Sequence, residues 1–213
     1  MNIKRTQTCL ILAILLTANC VSAQQQRGSR DHADREVLVW SRNANEPLFV
    51  TTRLQTQLDP GFGIVYQDRG FSVSLFQPLT FSPRGGYFIW WVTLENQMGE
   101  RMICFKRESD KQFRASGIDA DLKDLGELKQ ITTGGGSRFV FAVAGDGQLR
   151  LVSATTAAAE HMFVDYTTAG RVERIHDDLA REATPQYDNG LVQQLIQTWF
   201  EHGHKNLTVA VLK

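Results

Sequence analysis

Short runs in which apolar and polar residues alternate dominate the chain, and they predict β-strands. In residues 71–76, Phe71, Val73 and Leu75 face one way and the two serines between them face the other. Residues 87–94 are apolar on both faces, which indicates a strand covered on both sides. The other predicted strands are residues 37–40, 48–54, 63–67, 101–106 and 207–212.

Turn residues between alternating runs predict two hairpins. The first joins residues 138–144 to residues 148–153 through Gly145-Asp146-Gly147, because an Asp-Gly turn between two such runs is a strong hairpin signal. The second joins residues 161–167 to residues 171–175 through a turn that ends at Gly170.

One segment near the C-terminus carries a helical pattern. Its apolar residues recur at helical spacing and form one broad stripe: Leu191, Val192, Leu195, Ile196, Trp199 and Phe200. Asp188 or Asn189 can cap its start, and Gly203 lies where a left-handed stop is expected. The pattern predicts an amphipathic helix that buries Leu195 and Trp199 against the sheet.

These elements predict an all-β fold: a single sandwich or jelly-roll-like domain over residues 36–213, with the C-terminal helix packed on its side or end. No internal repeat at a fixed period is visible. Residues 24–35 are polar and lack an apolar period, so they predict a flexible N-terminal tail.

Residues 1–23 have the pattern of a secretory signal peptide. Lys4 and Arg5 precede an apolar run at residues 9–16, and Val21-Ser22-Ala23 puts small residues at the −3 and −1 positions of a cleavage site. A membrane-spanning helix needs roughly 20 apolar residues, which no segment of the chain approaches. We therefore expect a secreted, extracellular protein without a membrane span.

Charge excludes strongly electrostatic partners. Removal of residues 1–23 leaves 21 basic against 23 acidic residues, a net charge of −2 with His neutral. The two signs are interspersed, so we expect neither nucleic acid nor anionic lipid as a partner.

Two residues are predicted to carry chemistry of their own. Cys9 and Cys20 leave with the signal peptide, so Cys104 is the single free thiol of the mature chain, and its apolar neighbours favour burial over pairing with a second chain. The triplet Asn206-Leu207-Thr208 is an acceptor for N-glycosylation in a chain that enters the secretory route.

No catalytic, cofactor or metal site is predicted. His202 and His204 flank a glycine, but no third ligand lies at a recognised spacing for zinc. The glycines before Ser137 match neither the serine-nucleophile pattern, because Phe139 replaces its last glycine, nor a phosphate-binding loop. We expect no enzyme, although active sites are discontinuous and a single sequence can hide one.

The chain as a whole, from the signal sequence through residues 61–105 (GFGIVYQDRGFSVSLFQPLTFSPRGGYFIWWVTLENQMGERMICF), resembles follicle cell protein 3C of insects. The resemblance implies secretion by the follicle epithelium and a role in eggshell or vitelline-membrane assembly, with matrix or eggshell components as partners. Small vitelline-membrane structural proteins are Cys-bearing and low in complexity. This chain has a globular composition and one mature cysteine, which favours a matrix-associated role over a cross-linked one.

Three functions follow, in order. The first is a non-enzymatic extracellular protein, with the eggshell as its setting. The second is a secreted carrier or carbohydrate-binding β-sandwich protein, and the third is an unrecognised secreted enzyme. An apolar cavity would favour the carrier, and a polar cleft with converging histidines and carboxylates would favour the enzyme.

Overall fold

The structure is a computed structural model, and it describes residues 33–56, 64–68, 71–74, 77–82, 85–92, 100–115 and 117–211. These residues lie in one compact unit, Ala33–Lys213. The predicted signal peptide and residues 24–32 of the predicted tail lie outside them. The first strand begins at Ala33, three residues before the predicted start of the domain.

The described part of the chain is all-β, as the alternating pattern predicts, and it contains no helix. Its strands are β1 (Ala33–Trp40), β2 (Phe49–Thr56), β3 (Ile64–Asp68), β4 (Phe71–Ser74), β5 (Thr80–Ser82), β6 (Gly86–Val92), β7 (Glu100–Arg107), β8 (Gln112–Ala115), β9 (Ala120–Asp124), β10 (Leu128–Thr133), β11 (Arg138–Val143), β12 (Leu149–Thr155), β13 (His161–Tyr166), β14 (Val172–Asp177), β15 (Glu182–Asp188), β16 (Leu191–Glu201) and β17 (His204–Val211).

The strands from β6 to β17 form an antiparallel meander, in which each strand pairs with the next one along the chain. Strand β1 pairs antiparallel with β2 and parallel with β3, and β4 joins this group to β6. Both predicted hairpins are present, as β11–β12 and β13–β14. A meander has none of the long crossings of a jelly roll, so that alternative is wrong for β6 to β17.

One face of the meander forms the core, and we call it the inner face. Phe139 and Phe141 lie two residues apart on β11 and are both fully buried, as period-2 alternation requires. The same core holds buried residues from the first two strands and from the middle of the chain: Leu38, Trp40, Phe49, Ile89, Ile103 and Phe105. Burial of each such large apolar side chain contributes about 1.5–3 kcal/mol.

The predicted C-terminal helix is wrong, because its residues form β16. Asn189 and Gly190 have φ values of 49° and 82° and connect β15 to β16 in a two-residue loop. His202 and Gly203, with φ of 50° and 79°, connect β16 to β17 in the same way. The residues interpreted as a helix cap and a helix stop are therefore tight hairpin turns, which require left-handed residues.

A β-bulge explains why this strand has a helical spacing. The register between β15 and β16 shifts at Gln186/Tyr187, so Gln193 has no partner across the ladder. The inner face of β16 consequently carries Val192, Leu195 and Gln197. The step from Val192 to Leu195 is three residues instead of two, and this step resembles helical spacing. Leu195 is fully buried as predicted, whereas Trp199 is only half-buried.

Five successive hairpin turns share one structure, which reveals a repeat that the sequence does not show. Each turn spans five residues; the first N–H donates to the fifth carbonyl, and the fourth N–H donates to the first carbonyl. Their fourth residues all have positive φ and follow one another at intervals of ten to twelve residues: Gly136, Gly147, Ala159, Gly170 and Ala180. The interval varies and the left-handed residue is either glycine or alanine, so sequence periodicity does not reveal the repeat.

Two buried polar side chains attach the meander to the segment around β1 and β2. Arg181 donates to the backbone oxygens of Ser41 and Asn43, both at 2.8 Å, and to the carboxylate of Asp177 at 2.6 and 2.8 Å. Gln197 on β16 accepts from the Phe49 N–H at 2.7 Å and donates to its carbonyl at 3.0 Å. These bonds satisfy backbone groups that the sheet ladders leave open.

Candidate functional site

The side of the meander opposite the core, which we call the outer face, presents one continuous cross-strand row. Residues directly opposite each other on paired strands share a face. The registers from β11 to β17 therefore align Val140, Ser153, Phe163, His176, Glu182, Thr198 and Leu207. All are half-buried except Leu207, which is exposed.

Three side chains at the centre of the outer face form a ring cluster: His161, Phe163 and His176. The Phe163 ring stacks on His176 with centroids 5.2 Å apart and an interplanar angle of 25°. The His161 ring, two residues back along the same strand, is nearly parallel to the Phe163 ring, with an interplanar angle of 8° and centroids 6.2 Å apart. The Nδ1 atom of His161 is 3.2 Å from the hydroxyl of Thr155. Rings held by ring neighbours present a surface of fixed orientation.

A charged group borders the ring cluster. Arg174 donates to Oδ2 of Asp165 through Nε at 2.9 Å and Nη2 at 2.7 Å, and its Nη1 lies 3.7 Å from Glu182. Nε2 of His176 lies 3.5 Å from the same Asp165 oxygen. The hydrogen bond to Asp165 raises the pKa of the Arg174 guanidinium. Both members of the Asp165–Arg174 pair are nearly half exposed, so solvent screens the attraction.

An open concavity of about 660 Å³ adjoins these groups. Val152, Phe163, Asp165 and His176 line it, and residues of two hairpin turns, 144–148 and 167–171, form its walls. Its volume lies within the range of small-molecule sites, about 300–1,000 Å³.

Two glycines fix the walls of the concavity by letting the two turns touch. A Cβ on Gly145 would lie 2.1 Å from the carbonyl oxygen of Thr168, and one on Gly170 would lie 2.2 Å from Cγ of Asp146. Asp146 in turn accepts from Arg150 at 2.6 and 3.1 Å, and these bonds lower the pKa of its carboxyl. The turns therefore hold each other in place.

The last two strands expose an apolar surface, which we call the C-terminal patch: Phe200, Leu207, Val209 and Val211. Their exposed fractions are 49%, 65%, 46% and 57%. The register of β16 and β17 puts all four side chains on the outer face. The pairing of β17 with β16 is antiparallel and extends from His204 to Val211.

A second titratable group lies away from the outer face. The Tyr87 hydroxyl donates to Asp124 at 3.1 Å, and Nζ of Lys129 lies 2.8 Å from the same carboxylate. Burial, followed by the hydrogen bond to Asp124, raises the pKa of Tyr87 to about 12. Burial opposes ionisation of Asp124, but bonds from Lys129, Gly126 and Tyr87 outweigh it and lower its pKa.

Two tyrosines on the inner face each form a hydrogen bond to the preceding strand, Tyr166 from β13 to β12 and Tyr187 from β15 to β14. Tyr166 donates to the carbonyl of Leu151 at 2.8 Å, and Tyr187 donates to that of Val172 at 3.0 Å, each fifteen residues back along the chain. Burial raises the pKa of both phenols. Both hydroxyls act within the fold and are not presented to a ligand.

The two residues predicted to carry chemistry lie far apart on the sheet. Cys104 on β7 is half-buried, because its neighbours Ile103 and Phe105 take the inner face. Asn206 on β17 is half-buried on the side opposite the C-terminal patch, and its Nδ2 lies 3.5 Å from Glu201. The ring cluster is on β13 and β14, so both residues lie on other strands. The signal that could have revealed that cluster is the alternation of His161, Phe163 and Asp165 along one strand.

The paired histidines near the C-terminus occupy different environments. His202 lies in the β16–β17 turn with its Nδ1 4.0 Å from Glu201, and His204 begins β17. Across the described ranges, no group of three or more His, Cys, Asp or Glu side chains is placed to hold a metal ion. No helix of that same part is long and apolar enough to cross a membrane.

No family model matches the chain. No curated protein has a sequence that matches it at a significant level. The site is therefore interpreted from its own geometry.

Proposed function

We propose that the protein is a secreted, non-enzymatic extracellular protein that is retained in an insoluble layer, and that this layer is the eggshell or vitelline membrane of an insect egg. The C-terminal patch is the observation that carries the proposal. The signal-peptide pattern of residues 1–23 supports secretion, and the whole-chain resemblance to follicle cell protein 3C supports the setting.

The partner that fits the C-terminal patch is an extended strand of another protein of the layer. Such a strand can pair with the edge of β17 that faces away from β16, through main-chain hydrogen bonds. Its side chains on the same face would cover Leu207, Val209 and Val211, which are otherwise left in water. Apolar residues on an edge strand invite association, and soluble proteins normally protect such edges.

Retention through this edge is non-covalent. Cys104 lies on β7, far along the meander from β17. We also propose that the sheet folds as a sandwich, because residues of β1 and β2 share one core with the inner face of β8 to β16. This arrangement leaves the outer face available to partners.

The test is sequential extraction of the egg covering. We expect the native protein to resist saline, to dissolve in urea without reductant, to run as a monomer on denaturing gels and to begin at or near Gln24. An intact Met1 would contradict secretion, and full recovery in saline would contradict retention. A ladder that collapses with reductant would replace the non-covalent account with cross-linking through Cys104.

A further inference from the structure

We infer that the concavity beside the ring cluster is a binding site for a neutral saccharide. It uses β11 to β14 and the turns between them, whereas the C-terminal patch uses β16 and β17. The inference is therefore independent of the proposed retention function and goes beyond it.

The floor of the concavity supplies an apolar platform. Phe163 is half-buried, and its ring is nearly parallel to those of His176 and His161, with centroids 5.2 and 6.2 Å away. The C–H face of a sugar ring is apolar and packs on an aromatic ring, which contributes affinity without needing charge. A ring already held by its neighbours loses little freedom on binding.

The rim supplies the polar groups that a sugar requires. Asp165 and Arg174 are planar groups that offer acceptors and donors side by side, which matches neighbouring hydroxyls on a sugar ring. Both bonds from Arg174 end on Oδ2 of Asp165, so Oδ1 is available to accept from a hydroxyl. Thr167 and Thr168 line the same concavity.

The balance of charge favours a neutral ligand. Two carboxylates, Asp165 and Glu182, lie beside one guanidinium, Arg174. Of the residues that line the concavity, Asp165 is the one with a permanent charge, and it is paired with Arg174. A phosphate or sulfate site needs an excess of donors with positive charge, which these groups do not provide.

The open shape of the concavity favours recognition of a ligand at the protein surface over a carrier site that encloses its ligand. The concavity is open to solvent, and Ala144 and Gly145 of one turn and Thr167 and Thr168 of another line it together with Phe163. A chain of sugar residues can cross such a site and extend beyond it at both ends. We therefore assign one subsite of an oligosaccharide to Phe163 and Asp165.

The experiment measures retention of the mature protein on an immobilised panel of neutral oligosaccharides (β- and α-linked glucose oligomers and N-acetylglucosamine oligomers), with sulfated glycans as a second arm. We expect binding to at least one neutral glycan, and at least about tenfold weaker binding for Phe163→Ala. Asp165→Asn, which preserves shape, should weaken binding similarly. Phe81→Ala, an exposed ring on β5, is the matched control and should bind like wild type.

Three results would overturn the assignment. The first is no retention on any neutral glycan, and the second is retention on the sulfated arm alone. The third is equal retention of wild type and Asp165→Asn. Because Asp165→Asn changes no volume, its result stands even if Phe163→Ala fails to fold. If the wild-type protein bound no saccharide but was still retained in the egg covering, the saccharide site would be wrong and the proposed retention function would stand.

Discussion

The two faces of the meander each carry an Asp–Arg pair of nearly equal length, and the two pairs have different consequences. On the inner side, Arg181 and Asp177 meet at 2.6 Å with side chains that are 1% and 2% exposed. On the outer face, Arg174 and Asp165 meet at 2.7 Å with 45% and 43% exposed. The inner pair also bonds to backbone oxygens of Ser41 and Asn43, whereas the outer pair borders an open concavity.

The difference lies in what surrounds each pair rather than in its geometry. When a buried charge loses its partner, it stays out of water without a compensating interaction, and the fold is destabilised. Both members of the inner pair are therefore needed for stability. An exposed pair is screened by water and contributes little, so its groups can exchange partners with a ligand. The inner face therefore fixes the fold, and the outer face is available for recognition.

Breaking the inner pair should have the largest effect. Arg181→Met leaves Asp177 buried without its cation and removes two bonds to the Ser41–Asn43 segment. We expect a loss of about 3–5 kcal/mol in the free energy of unfolding, measured by urea denaturation.

Arg174→Met is the matched control for this comparison. It removes an arginine of the same hairpin, and we expect no measurable change in the urea midpoint. A loss below about 1 kcal/mol for Arg181→Met, or an equal loss for both variants, would contradict the division between the two faces.

Gly170→Ala should have the second-largest effect, because it disturbs the wall of the concavity as well as a turn. The added Cβ meets left-handed backbone at φ 73° and lies 2.2 Å from Asp146. We expect a loss of about 1–3 kcal/mol in denaturant titrations. Gly147→Ala has φ 76° and open space, so it carries the backbone cost alone, about 1 kcal/mol. Equal losses of stability in the two variants would show that the contact between the two turns does not contribute to stability.

Alkaline pH should act on the inner groups. The folded state raises the pKa of Tyr87 from 10.0 to about 12, so its protonated form stabilises the fold below pH 10, and this contribution is lost as pH rises through about 12. Tyr166 and Tyr187 add to the effect in the same direction. We expect Tyr87→Phe to lose less stability than wild type between pH 10 and 12 in thermal melts. Parallel curves for the two proteins would contradict the burial of this phenol.

Much of the fold can be predicted from the sequence, because alternation and Asp-Gly turns act locally. The β11–β12 hairpin follows directly from the residues on both sides of Asp146-Gly147. The error at β16 has a physical cause. The bulge at Gln193 breaks the alternation, and pairing with both β15 and β17 overrides the helical preference of the segment.

The outer-face site could not be predicted in the same way. His161 and Phe163 alternate along β13, but His176 joins them only through the register of β13 with β14. The contact of Gly145 with Thr168 likewise depends on two turns that are more than twenty residues apart. Single-strand patterns carry no signal for such cross-strand arrangements.

The most direct test of the central claim, that the outer face carries the function, is extraction of a Leu207→Asp/Val209→Asp variant from the egg covering. Both positions are exposed on β17, so we expect a urea midpoint near that of wild type and transfer of the protein from the insoluble layer to the saline extract. Leu125→Asp, at an exposed site outside the C-terminal patch, should remain in the layer. Retention of the double variant at the wild-type level would contradict the account.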